Sequence, residues 1–90
     1  MSEKEIACWV YRSSRKEEMY LYISRQDDFT NVPNALLKKF GVPVMVMELI
    51  LNKQRKLARE DVSVVMKNLS AQGFHLQMPP KMQVELYSGD

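Results

Sequence analysis

The pattern of apolar and polar residues along this chain of 90 residues predicts four strands and two helices. Short runs rich in β-branched, aromatic and other apolar residues predict strands at residues 5–11, 19–23, 44–51 and 74–78. The polar segment between the first two runs is short, so these two strands are expected to form an antiparallel hairpin. The predicted element order is β-β-α-β-α-β.

Two segments between the strands have helical periodicity. In the first, Pro33 suits the opening turn and Gly41 can end the helix. The second begins near Glu60 and stops at Gly73. Each has an apolar face, formed by Leu36, Leu37 and Phe40 in the first helix and by Val62, Val65, Met66 and Leu69 in the second.

Residues 44–51 form the most apolar run of the chain, since seven of the eight residues are apolar. A strand that is apolar on both sides is typical of an internal strand covered on both faces, with parallel neighbours reached by right-handed crossovers. The sequence therefore predicts an α/β (α+β) domain, a three-layer α/β/α sandwich with a mixed four-stranded sheet. Glu48 is the exception in this run, and it is expected at the end of the sheet or in an ion pair.

The composition and the net charge are those of an ordinary globular domain. The chain is 46% hydrophobic and 27% charged, with a net charge of +2, too small by itself to indicate a nucleic-acid-binding protein. Cys8 is the only cysteine, which excludes an intramolecular disulfide, and its apolar neighbours predict a buried thiol. The chain begins without the features of a secretory signal and has no apolar window long enough for a membrane span, so a cytoplasmic location is expected.

Several residues could carry chemistry, but each also has a structural interpretation that is favoured. Asp27 and Asp28 could bind a metal or act in acid–base catalysis, although adjacent acids in a polar loop more often cap turns. Ser13 and Ser14 lie near Arg15 and Lys16, where a hairpin turn is favoured over a nucleophile or an anion nest. His75 alternates with apolar residues and is expected on an exposed strand face. The sequence predicts no catalytic residue, cofactor or metal site.

The connection at residues 52–59 is the best candidate for binding. It contains Lys53, Arg55, Lys56 and Arg59 and no acidic residue. It follows the predicted central strand and leads into a helix N-terminus, an arrangement that favours anions. Two hairpin cations, Arg12 and Arg15, could extend this anion-binding or partner-binding surface. A solvated basic loop is the other interpretation, since Glu60 and Asp61 would repel an anion.

Several short motifs, taken together, resemble the YcgL domain family of small, mainly proteobacterial proteins. They are Tyr11-Arg12-Ser13-Ser14, Tyr20-Leu21-Tyr22, Asp27-Asp28-Phe29, Val32-Pro33, Lys56-Leu57, Gly73-Phe74 and Leu76-Gln77-Met78-Pro79-Pro80. The resemblance covers about residues 7–80, and we take residues 1–80 as one YcgL-like domain followed by a tail at 81–90. It implies an α/β/α sandwich, and it implies no activity, cofactor or catalytic residue.

These observations favour a non-enzymatic cytoplasmic protein that binds another protein through an exposed sheet edge or the basic loop. The alternative is weak RNA or other nucleic-acid binding through residues 53–59, which would depend strongly on salt. An enzyme that uses the Asp27–Asp28 loop is a third, distant possibility. No membrane association is expected, and the partner protein is not identified by the sequence.

Overall fold

The computed structural model describes residues 5–57 and 60–79. It confirms the predicted element order, with bounds β1 Ile6–Arg12, β2 Tyr20–Ile23, α1 Asn34–Phe40, β3 Val44–Leu51, α2 Val62–Gln72 and β4 Phe74–Gln77. The tail at residues 81–90, including its weak alternation of apolar residues, lies outside the described residues, as does Arg59. No helix within the described ranges has the length and apolar character that crossing a membrane requires.

The four strands form one sheet in the order β3-β1-β2-β4, and every neighbouring pair is antiparallel. The α+β class and the N-terminal hairpin are confirmed. The expected parallel neighbours, and with them the mixed sheet, are wrong. Because β1 is antiparallel to both β2 and β3, those two strands run in the same direction with β1 between them. The chain therefore passes through α1 to the far side of β1, which places β3 at the edge and not at the centre.

Two apolar clusters lie on opposite faces of this sheet, because successive residues of each strand point to opposite sides. The α2 cluster contains Cys8, Val10, Tyr22, Leu51, Val62, Val65, Met66 and Leu69. The α1 cluster contains Tyr11, Met19, Leu21, Ile23, Val32 and Phe40. Each helix thus contributes to a different cluster, which supports the three-layer arrangement; the layers themselves stay a prediction.

Helix α2 has clear signals at both ends. Asp61 is its N-cap, and the carboxylate accepts a hydrogen bond from the Ser63 N–H at 2.9 Å. This satisfies one of the free N–H groups of the first turn. At the other end Gly73 adopts a left-handed conformation with φ +86°, and a Cβ at this position would lie 2.5 Å from Asn31 Nδ2. The expected apolar stripe of α2 is buried, as its spacing predicted.

Helix α1 is only seven residues long, so it depends on tertiary contacts for stability. Phe40, its last residue, is fully buried in the α1 cluster. The Phe40 carbonyl accepts a hydrogen bond from the Ser13 hydroxyl at 2.5 Å. The hairpin between β1 and β2 is therefore joined directly to the end of α1.

Candidate interaction surface

Strand β3 presents an exposed apolar surface at the edge of the sheet. Within the described residues it pairs only with β1, so its other side has no strand neighbour. Five large apolar side chains in or just before this strand are between 40% and 71% exposed. We call them the edge surface: Val42, Met45, Val46, Met47 and Ile50. The prediction that this apolar run is covered on both faces is wrong.

The register of β3 against β1 assigns its side chains to the two faces. Met47 lies opposite Val10, on the face of the α2 cluster, whereas Ile50 lies opposite Ala7 on the other face. The pairing shifts between Val10 and Tyr11, so Val46 is an extra, bulged residue. Apolar side chains of the edge surface therefore emerge on both sides of the sheet.

Glu48 is exposed on this edge, opposite Trp9. The expectations of a buried ion pair and of a carboxylate at the sheet's end are both wrong, because an exposed edge position solvates the carboxylate directly. A charge and a bulge on an edge strand both oppose uncontrolled pairing with other chains. The edge is thus apolar enough to bind a partner and irregular enough to disfavour indefinite strand addition.

The opposite edge of the sheet has a different character. Strand β4 has only four residues, and Pro79 follows two positions after its end. Its side chains are buried or partly buried on both faces. A short edge followed by proline offers little backbone for pairing. Of the two edges of the described sheet, β3 offers the longer backbone for pairing.

The basic loop is held by a turn at its first residue. The Asn52 side-chain oxygen accepts hydrogen bonds from the N–H groups of Gln54, at 2.9 Å, and Arg55, at 3.0 Å. This turn leaves Lys53, Arg55 and Lys56 exposed. The loop follows the end of β3, as expected, but β3 has no parallel neighbour there. The expected ligand position beyond the ends of parallel strands therefore does not apply.

The hairpin cations and the loop cations line two clefts that share Glu18 and Tyr20. Arg12 and Arg15 line a surface cleft of the β1–β2 hairpin, together with Glu17 and Glu18. The Arg15 side chain also lies over Gly41, where a Cβ would come within 2.7 Å of its Cγ. Acidic side chains therefore lie among the hairpin cations, and Glu18 is common to both clefts.

A second cleft, of about 550 Å³, lies on the sheet face that carries α2. We call it the tyrosine cleft. Its floor includes Tyr20 and Tyr22, and the segment of residues 55–57 forms part of its wall. Glu18 lines both this cleft and the hairpin cleft. The sequence pattern does not show that residues 55–57 line the same cleft as these tyrosines.

His75 is 7% exposed, so the prediction of an exposed histidine is wrong. Its Nε2 lies 2.5 Å from Glu60 Oε1, and its Nδ1 lies 2.9 Å from Asn68 Nδ2. The neutral tautomer with its proton on Nε2 satisfies both contacts, since Asn68 donates and Glu60 accepts. The histidine therefore links β4 to α2 and to the residue before the α2 N-cap.

The other candidate groups for chemistry have structural roles. Ser13 Oγ accepts hydrogen bonds from the N–H groups of Arg15 and Lys16, as a turn residue does. Asp28 accepts from Thr30, whereas Asp27 accepts from the Tyr11 hydroxyl at 2.8 Å. The hydrogen bonds from Thr30 lower the pKa of the Asp28 carboxyl. These contacts confirm the turn interpretations of both loops.

Cys8 is fully buried, as predicted, and burial raises the pKa of its thiol to about 11. A thiol with that pKa carries almost no thiolate at neutral pH, so it is a poor nucleophile. Within the described residues no group of three His, Cys, Asp or Glu side chains could hold a metal ion.

The comparison with known families matches the YcgL domain model over residues 8–80. The chain belongs to the YcgL domain family. It is 55% identical over 73 residues to a YcgL domain-containing protein of Pseudomonas aeruginosa strain PAO1, and 53% identical over 73 residues to one of Pseudomonas entomophila. Each alignment covers 81% of this chain and 75% of the relative.

A third relative, from Stutzerimonas stutzeri, is 49% identical over 76 residues, which is 84% of this chain and 78% of the relative. The matched region spans both clusters, the edge strand and the tyrosine cleft. The names of these relatives state the YcgL domain and no activity. The resemblance seen in the sequence is therefore confirmed, and the function has to be argued from the surface.

Proposed function

We propose that this YcgL domain is a non-enzymatic module that binds another protein through the edge surface of β3. The observation that carries the proposal is the exposure of large apolar side chains along an eight-residue strand that pairs on one side only within residues 5–57 and 60–79. An extended partner segment can add to such an edge, with main-chain hydrogen bonds giving affinity and alternate side chains giving specificity. Cytoplasmic location stays a prediction from the sequence.

The side chains of the edge surface suit a protein partner. Met45 and Met47 are flexible and polarizable, so they can adapt to an apolar surface of varied shape. An extended run of eight residues is about 26 Å long, enough for several main-chain hydrogen bonds with an added strand. The absence of enzymatic activity is supported by the roles of Cys8, Ser13 and His75, which are buried and make structural contacts.

The test compares charged variants of the edge surface with a matched control. Met47→Lys and Ile50→Lys each place a charge on one face of the edge, whereas Val64→Lys places one on α2 at a site that is also half-exposed. A partner captured from a bacterial lysate by the wild-type chain is identified, purified and titrated calorimetrically. We expect both edge variants to bind at least about tenfold more weakly and the control to bind normally.

Two results would contradict the proposal. One is equal affinity of the edge variants and the control for the purified partner. The other is self-association in place of a partner, seen as a dimer by light scattering that Met47→Lys dissociates and Val64→Lys does not.

A second candidate function is weak RNA binding through the basic loop. It is favoured by the exposure of Lys53, Arg55 and Lys56 on one turn. If the loop neutralises about three phosphates of a single-stranded RNA, the logarithm of the binding constant should fall against the logarithm of the salt concentration with a slope of about −2. Fluorescence polarisation with a short mixed-sequence RNA between low and moderate salt measures this slope. The double variant Lys53→Gln/Arg55→Gln should flatten it; a slope unchanged by that variant, or no binding, would remove this candidate.

A further inference from the structure

The tyrosine cleft lies on the sheet face that carries α2, beside the α2 cluster. Helix α2 packs on the end that contains Cys8, Tyr22 and Leu51. The cleft beside this cluster, around Tyr20 and Met47, is lined by residues 55–57 and by no residue of the described α2. The volume of about 550 Å³ lies within the range of about 300–1,000 Å³ that is typical of small-molecule sites.

The floor of the cleft is apolar and aromatic, with one polar group at its base. Side chains of β3, β1 and β2 supply the apolar part, among them Met47, Leu49 and Val10. Gln77 on β4 supplies the polar group, and it is only 7% exposed. Such a mixture, mostly apolar with a few placed polar groups, is the usual composition of a ligand site.

The Gln77 amide lines the cleft, and its oxygen is already bonded. Its Oε1 accepts a hydrogen bond from the Tyr22 hydroxyl at 2.8 Å. No described residue accepts a hydrogen bond from its Nε2, and no buried side-chain nitrogen or oxygen in the described chain lacks a partner. Among the described residues nothing takes this donor, and a ligand in the cleft that Gln77 lines can accept from it.

The charged side chains that line the cleft carry a net positive charge among the described residues. Arg55 and Lys56 line it and are exposed, while Glu18 is the one acidic residue among its described lining. The Arg55 guanidinium lies near enough to this sheet face to lower the pKa of the Cys8 thiol, against the larger effect of burial. Two cations against one carboxylate favour a ligand with a single negative charge.

We propose that the tyrosine cleft binds a small amphipathic anion: a flat apolar body against Tyr20 and Met47, with one carboxylate or phosphate group toward Arg55 and Lys56. The Gln77 Nε2 donates to a polar atom of the ligand. The site shares Val46 and Met47 with the edge surface, but Arg55, Lys56 and Gln77 lie outside that surface, so the preference for an anion tests the cleft separately from the proposed protein contact.

Three matched probes test the proposal on the full, isotope-labelled chain by amide NMR titration. They are 2-naphthoate, its neutral isostere naphthalene-2-carboxamide, and 2-naphthyl phosphate. We expect naphthoate to shift the amides of Tyr20, Met47 and Leu57, and the carboxamide to bind about tenfold more weakly because it lacks the charge. Tighter binding of the phosphate than of the carboxylate would indicate a phosphorylated ligand, and the reverse order a carboxylic acid.

Variants distinguish binding in the cleft from nonspecific binding of the apolar probes elsewhere on the surface. Arg55→Gln/Lys56→Gln should abolish the preference for the anion over the carboxamide, since both cations are removed. Lys38→Gln/Lys39→Gln removes two exposed cations from α1 and should preserve that preference. Gln77→Glu keeps an acceptor for Tyr22 and should repel the anion while the carboxamide still binds.

Three results would overturn the proposal. The first is that no probe binds at millimolar concentration. The second is equal affinity for the carboxylate and the carboxamide, which would remove the role of the cations. The third is a set of shifts confined to Val42, Met45 and Ile50, which would place the probe on the edge surface instead of in the cleft.

Discussion

Replacing Phe40 by alanine is expected to reduce the free energy of unfolding by about 3–5 kcal/mol. Phe40 is fully buried and is the only fully buried residue that the described α1 contributes to its cluster. Its removal leaves a cavity between α1 and the sheet, and a two-turn helix cannot keep its structure without that contact. Urea unfolding followed by circular dichroism measures the loss.

The control for this prediction is Val42→Ala, two residues further along the chain. Val42 is 71% exposed, so its truncation should change the free energy of unfolding by less than about 0.5 kcal/mol. A loss below about 1 kcal/mol in Phe40→Ala would mean that α1 is not an integral part of the fold. The difference between the two variants thus measures how far the hairpin, α1 and the sheet form one cooperative unit.

Alkaline pH is expected to destabilise the protein from about pH 9 upward. Burial raises the pKa of Cys8 from 9.0 to about 11 and that of Tyr22 from 10.0 to about 12. The unfolded chain therefore loses these protons at lower pH than the folded chain, so stability falls as pH rises through each interval. Cys8 alone accounts for a loss of about 2 kcal/mol by pH 11.

Urea titrations at pH 8, 10 and 11 test this dependence, with Cys8→Ala as the matched variant. This variant should start less stable at pH 8 and then lose less between pH 9 and 11 than the wild type, because it has no thiol to deprotonate. Tyr22→Phe should reduce the loss between pH 10 and 11 in the same way. An equally steep fall in wild type and Cys8→Ala would show that the buried thiol is not the cause.

Both proposed sites lie within the region that matches the YcgL domain family. The YcgL match begins at residue 8 and ends at residue 80, so it contains both proposed sites. The edge surface and the tyrosine cleft meet at Val46 and Met47, which belong to both. A ligand in the cleft could therefore change the shape that the edge presents to a partner, and the variants of the two sites allow this coupling to be measured.

Local patterns predicted the elements of this fold well. The stripe of Val62, Val65, Met66 and Leu69 is buried as its spacing required, and Gly41 and Gly73 end the two helices. Such signals depend on neighbours within a few residues, so the sequence displays them directly. The turn roles of Ser13 and Asp28 were predicted for the same reason, since each bonds to backbone within three residues.

His75 shows where local patterns stop being sufficient. Its alternation with Phe74 and Leu76 correctly predicts that it points away from them, but not what lies on that side. Both faces of β4 are covered, and Glu60 and Asn68 supply the hydrogen bonds that make burial of the imidazole possible. The hydrogen-bond partners of His75 lie 7 and 15 residues away in the chain, so a pattern of a few neighbouring residues cannot predict that the imidazole is buried.

The sequence by itself determined the six elements, their order, the faces of the helices and membership of the YcgL family. The tertiary structure alone decided that Val44–Leu51 is an edge strand and that residues 55–57 enclose a cleft. An apolar run has the same pattern whether a strand has two neighbours or one. Strand order is set by where the connections pass in space, and here the path through α1 to the far side of β1 left the most apolar strand exposed.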